Sequence, residues 1–155
     1  MNIPKLTIEL VPKTSWFSNV RSRVSQEVWN QIRKDTYKKA NYKCEVCGGV
    51  GSQWPVECHE VWEYITNQCR IQKLVRMIAL CPSCHRVKHI GLAQKRGQLA
   101  VAKVHLQCVN GWDENTTEKY LDDSFAEWRE RSKYQWKLDL SFLKNEFGTS
   151  AFNGV

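Results

Sequence analysis

At 155 residues, with 42% apolar and 25% charged residues, the chain has the size and composition of one globular domain around a single core. No apolar run approaches the roughly 20 residues of a membrane-spanning helix, and Met1-Asn2-Ile3-Pro4-Lys5 shows no basic stretch leading into an apolar one, so a cytoplasmic protein without membrane attachment is expected. The net charge of +7 is uneven: residues 1–103 hold 17 Lys/Arg against 7 Asp/Glu, and residues 104–155 hold 6 against 9. A basic surface attracts phosphate backbones through counterion release without reading sequence, although a merely solvated face produces the same imbalance.

Leu6, Ile8 and Leu10 alternate with polar residues, which predicts a short strand ending at Pro12. Trp16-Phe17 follows in an irregular basic stretch, and such a pair serves as a lid on the core or as a stacking platform for a base. Ser25 is placed to cap a helix over residues 26–41, with Trp29, Ile32, Thr36, Tyr37 and Ala40 as its apolar stripe. The other faces carry Arg33, Lys34, Lys38 and Lys39, with Lys43 just beyond, all suited to phosphate contacts.

Residues 54–62 and 72–80 read as two strands, followed by a helix that starts at Pro82 and ends at Gly91. A helix over residues 98–109 stops at Asn110-Gly111, and Asp113 caps another that runs to about Ser132. Trp136, Leu138, Leu140 and Phe142 alternate strictly, which predicts a strand paired with the one at 6–10 and a frayed tail from Asn145. The organisation expected is therefore a single domain: a basic strand and helix over 1–43, a metal-bearing core over 44–90, and a helical part over 97–144.

The chemistry concentrates in that core. Seven cysteines, an odd number mostly in CxxC pairs, suit metal binding in a reducing compartment rather than a disulfide framework. Cys44-Glu45-Val46-Cys47 and Cys81-Pro82-Ser83-Cys84 have the spacing of two knuckles that share one structural zinc. Gly48-Gly49 fits the tight turn behind the first knuckle. His85 and His89 lie at i and i+4, on one face of the helix predicted from Pro82, and so can chelate a second ion. His85 could instead replace a cysteine at the structural site. His105, Cys69 and Cys108 have no partner in the pattern; the cysteines are expected to be buried, and the seven tryptophans mostly to fill the core.

The order CxxC, an apolar strand ending in Cys58-His59-Glu60, then Leu80-Cys81-Pro82-Ser83-Cys84-His85 and His89, resembles the HNH endonuclease family in its zinc-stapled form, over the middle third of the chain. The resemblance implies an α+β fold in which a ββα-metal unit merges with a treble-clef-like four-cysteine knuckle, flanked by helices and a short terminal strand pair. It further implies divalent-metal-dependent cleavage of double-stranded DNA and a mobile-element or phage setting. His59 would be the general base, and Cys58, His85 and His89 would hold the catalytic metal: Mg2+, Mn2+, Ni2+ or Zn2+. Glu57 or Glu60 could reach that metal instead, and if His59 were a ligand, Glu60 would become the base. Two departures stand out. Cys58 occupies a position that is often His or Asp, and the middle Asn is replaced by Arg76, which could instead contact the scissile phosphate. Lys73, Arg86 and Lys88 extend the expected nucleic-acid surface. The alternative classes are a non-catalytic zinc module that binds nucleic acid, and an interaction protein that docks a protein partner through the acidic last third.

Overall fold

The computed structural model describes residues 3–148. Its centre is an antiparallel pair, β1 (Glu57–Ile65) and β2 (Ile71–Leu80), followed directly by α3 (Pro82–Lys88). Around this ββα unit lie α1 (Val20–Arg23), α2 (Gln26–Lys39), α4 (Ile90–Lys95), α5 (Leu99–Asn110), α6 (Glu114–Arg131), β3 (Lys137–Asp139) and α7 (Ser141–Phe147). The protein is α+β, with a mixed three-stranded sheet of order β1-β2-β3. No helix among the described residues is long and apolar enough to cross a membrane.

Local signals set most of these boundaries. Ser25 accepts a hydrogen bond from the Val28 amide at 3.2 Å and starts α2. Asp113 accepts from Thr116 N at 2.8 Å and starts α6. Gly111 takes the left-handed conformation (φ +67°) that closes α5.

The sheet divides the core in two. β1 alternates regularly, so Glu57, His59 and Val61 point to one face, and Cys58, Glu60 and Trp62 to the other. β2 carries an extra residue: Val61 pairs with Arg76 and Trp62 with Leu74, which leaves Val75 without a partner. This bulge resets the alternation. Leu74 and Met77 consequently share the face where α2 and α7 bury Val20, Ile32 and Leu143. Ile78 and Leu80 face the larger cluster with Leu6, Val87, Ile90, Ala102, Leu106 and Leu121, to which Cys44, Cys81 and Cys84 also belong.

Several expectations are corrected. Residues 6–10 form no strand. Their amides bond to Asn110 Oδ1 (from Leu6, 2.9 Å), Tyr120 Oη (from Ile8, 3.1 Å) and the Lys88 carbonyl (from Glu9, 3.1 Å). The alternation there records one-sided burial, which an extended segment lying on helices also produces. The terminal strand pair is consequently absent: β3 is three residues long and runs parallel to β2, pairing Ile71 with Lys137. Chain past β3 turns into α7 because Asp139 Oδ1 accepts the Ser141 amide at 2.9 Å. Fraying from Asn145 does not hold as far as Phe147, and the stretch beyond 148 lies outside the described residues. Gly91 does not end a helix; α3 breaks at His89 (φ −105°, ψ 46°) and the chain continues into α4. Cys69 and Cys108 are exposed rather than buried. No tryptophan is fully buried, and Trp16 (46%) and Trp54 (49%) are exposed.

Gly51 joins the first knuckle to β1 at a close approach. A Cβ there would stand 2.2 Å from the Trp54 carbonyl oxygen and 2.7 Å from Pro82 Cδ, the first residue of α3. Gly51→Ala is expected to destabilise the protein by on the order of 1–3 kcal/mol. Urea unfolding at fixed metal content measures this; an unchanged midpoint would show that the loop yields freely.

Candidate metal centres

Two clusters of potential ligands sit at opposite ends of α3. At its N-terminus the sulfurs of Cys44, Cys47, Cys81 and Cys84 lie within 4.8 Å of one another. Cys47 Sγ and Cys81 Sγ are 3.7 Å apart, close to the edge of about 3.8 Å for a tetrahedron with zinc–sulfur bonds of about 2.3 Å. Backbone amides point at the sulfurs: Gly49 N donates to Cys47 Sγ and Cys84 N to Cys81 Sγ, each at 3.4 Å. Gly48 (φ +76°) permits the first of these turns. A hydrogen bond from Cys84, aided by the amides of Cys47, Cys81 and Val46, lowers the Cys44 thiol to about 4, while the same contact raises Cys84. The donor set therefore fits a structural metal such as zinc.

His105, expected to be an ordinary histidine, belongs to this centre. Its Nε2 lies 3.1 Å from Cys84 Sγ, because α5 packs on α3. Nothing in its sequence neighbourhood signals this.

At the other end of α3, His85 and His89 meet His59 from β1. One donor atom from each lies within 4.8 Å of the others, and the ring centroids are 4.8–5.3 Å apart, edge to face. Three imidazoles placed this way could hold a metal ion. Burial pulls His59 below its ordinary value, against the opposing effect of Glu9. Burial, with His59 and His85 adding to it, takes His89 down to about 3. His85 therefore joins the histidine cluster and not the sulfur cluster.

Two carboxylates back the cluster. Glu57 Oε2 accepts from His85 Nδ1 at 2.6 Å and is itself held by Trp54 Nε1 at 2.9 Å. Glu9 Oε2 accepts from His59 Nε2 at 2.6 Å. Burial opposes ionisation of Glu9, but the His59 bond and the Lys88 charge prevail, and the carboxyl sits below its usual value. Sequence reasoning missed Glu9, which lies 50 residues from its partner.

Other predicted site residues are placed elsewhere. Cys58 points away from the histidines, towards α2 beside Thr36 and Arg33, and burial pushes its thiol up to about 12. It is a poor ligand there, so the expected ligand set loses it. Glu60 also faces away; its Oε1 accepts the Val20 amide at 2.9 Å, and burial raises it to about 7. That direction takes it off the histidine cluster, although it lines the same cleft. Arg76 is 2.8 Å from Glu45 Oε1, while Glu45 Oε2 accepts the Ala79 amide at 2.7 Å, so the guanidinium braces the knuckle.

The expected phosphate contacts also divide. Lys88 is buried and bonded to Thr7 Oγ1 (2.7 Å) and Glu9 Oε2 (3.3 Å), so its ammonium is already engaged inside the protein. Lys39 pairs with Asp35 at 2.8 Å and with Glu146 at 3.3 Å. Arg33 is half-buried and donates to Asn30. Lys34, Lys38 and Lys43 are exposed, and Lys73 and Arg86 half-buried. Lys34 and Lys38 line a separate groove with Glu27 and Asp35. The histidines instead open onto a cleft of about 1210 Å³ whose cations are Lys13, Arg21, Lys95 and Arg131.

No family model, no curated protein and no solved structure matches this chain.

Two predictions follow from the geometry. Cys81→Ser is expected to lower the metal content and unfold the centre, since structural zinc binding and folding share one free energy; metal analysis with circular dichroism reads both. Glu60 has a folded value (about 7) above its unfolded value (4.5). Its contribution to stability is therefore fully present below pH 4.5 and lost as pH rises through 7. Glu60→Gln keeps an acceptor for Val20 and removes that slope, so at pH 8 it is expected to be more stable than the parent by on the order of 3 kcal/mol. Equal pH dependence in parent and variant would remove Glu60 as the cause.

Proposed function

We propose that the protein is a metal-dependent endonuclease that hydrolyses phosphodiester bonds of double-stranded DNA at the His59–His85–His89 cluster. The observation that carries this reading is the convergence of three imidazoles from one ββα unit, two of them backed by carboxylates, on the wall of a cleft with four cations. A divalent cation held by His85 and His89 would supply Lewis-acid stabilisation of the phosphate and the leaving 3′ oxygen. With Cys58 excluded, the remaining imidazole donors suit nickel or zinc better than magnesium.

The protein's own groups have distinct parts in this scheme. Glu57 accepts a hydrogen bond from His85 Nδ1–H, which would leave the Nε2 lone pair for the ion. Glu9 accepts a hydrogen bond from His59 Nε2–H, so Nδ1 would carry the lone pair that accepts a proton from water. Burial pulls His59 below its ordinary value, the direction that favours a base. Glu9 thus orients His59 for this part. The mutual approach of all three rings also suits His59 as a third ligand. Metal content separates these roles: a base can be removed without losing the ion, whereas a ligand cannot.

Plasmid nicking across Mg2+, Mn2+, Ni2+ and Zn2+, paired with metal analysis, tests the proposal. His59→Ala is expected to keep the fold and both metal equivalents and to lose cleavage by about 100-fold or more. His89→Ala should lose the second equivalent, and Glu60→Gln should cut like the parent. Cleavage by His59→Ala at the parental rate, or no cleavage by a parent carrying both metals, would overturn the reading.

A further inference from the structure

The cleft extends well beyond the histidines. A site for one phosphate and one ion does not require about 1210 Å³, and drug-sized ligands fill roughly 300–1,000 Å³. The far wall has its own chemistry. Trp16 and Trp128 both donate their indole N–H to the carbonyl of Val11, at 3.0 and 2.9 Å. Their ring edges are therefore fixed and already satisfied, and each ring carries a lysine over one π-face. Lys95 Nζ stands 4.9 Å from the Trp16 ring centroid, Lys13 Nζ 5.1 Å from that of Trp128, and the Arg131 guanidinium 4.4 Å from that of Tyr64. Phe17, beside Trp16, is 88% exposed, so Phe17 is no lid on the core.

Two hydroxyls complete the wall. Ser15 is 1% exposed and Tyr64 Oη is buried, yet neither hydroxyl has a hydrogen-bond partner among the described residues. Both residues line this cleft. A buried polar group left unpaired costs roughly 1–3 kcal/mol, a cost that a ligand offering donors and acceptors would remove.

Flat π-faces, adjacent cations and unpaired hydroxyls in one cleft match one ligand class. We propose that this part of the cleft binds an unstacked nucleotide, with its base against the aromatic faces, its polar edge on Ser15 and Tyr64, and its phosphate among Lys13, Lys95 and Arg131. The inference rests on the reading of the cleft as a nucleic-acid site and refines its substrate to a strand with an unpaired or extruded base near the scissile phosphate. A free nucleotide presents the same chemistry.

Binding without added divalent metal tests this apart from catalysis. Fluorescence anisotropy would compare a short labelled single strand, the same strand with abasic sites, and a fully paired duplex, with a mononucleotide as competitor. Ser15→Ala and Tyr64→Phe delete hydroxyls that support nothing in the fold, so melting temperatures should hold or rise. Each is expected to weaken binding of the normal single strand about 3- to 10-fold, and Trp16→Ala about tenfold. The abasic strand should bind weakly and ignore all three substitutions. Competition by mononucleotide at equal affinity assigns the site to a free nucleotide; preference for the strand assigns it to a nucleotide within a chain. Parental affinity in all three variants, or equal binding of normal and abasic strands, overturns the proposal. If this binding pattern holds without any cleavage, only the catalytic reading falls.

Discussion

The four-sulfur cluster is the constraint on which the rest of the structure depends. It joins two segments 34 residues apart, the knuckle Cys44–Cys47 and the first turn of α3. Apparent zinc affinities of such sites in peptides correspond to about 10–16 kcal/mol, comparable with the whole stability of a small domain at about 5–15 kcal/mol. Three of the four cysteines are also members of the larger core cluster. The cluster therefore fixes the start of α3 relative to β1, and with it the directions in which His85 and His89 meet His59. One seven-residue helix carries a structural centre at one end and the histidine cluster at the other.

Burial and pairing then separate chemically identical groups. Glu57 and Glu60 lie three residues apart on β1, yet strand alternation sends one to a histidine and the other to a backbone amide in an apolar setting. Cys58 and His59 divide in the same way: the thiol faces α2, where burial keeps it protonated, and the imidazole faces the cluster. On the N-terminal segment, Glu9 is held by Lys88 and accepts from His59, so a helix lysine that resembles a phosphate contact acts as an internal brace. The cations facing the cleft come instead from the short turn after Pro12 and from α1, α4 and α6.

Sequence alone determined what depends on local spacing. The two CxxC pairs, the i, i+4 histidines in and just after α3, the caps at Ser25 and Asp113 and the stop at Gly111 could be read directly, because capping and turn geometry act within a few residues. The two central strands were legible for the same reason. Tertiary structure decided everything that depends on which face a residue takes or what lies across the core from it. The bulge at Val75 resets one strand face without a sequence mark. The segment at 6–10 alternates like a strand but finds side chains and a helix end as partners. Glu9 and His105 join their centres from 50 and 21 residues away. Such pairings depend on packing of distant elements, and no local pattern encodes them.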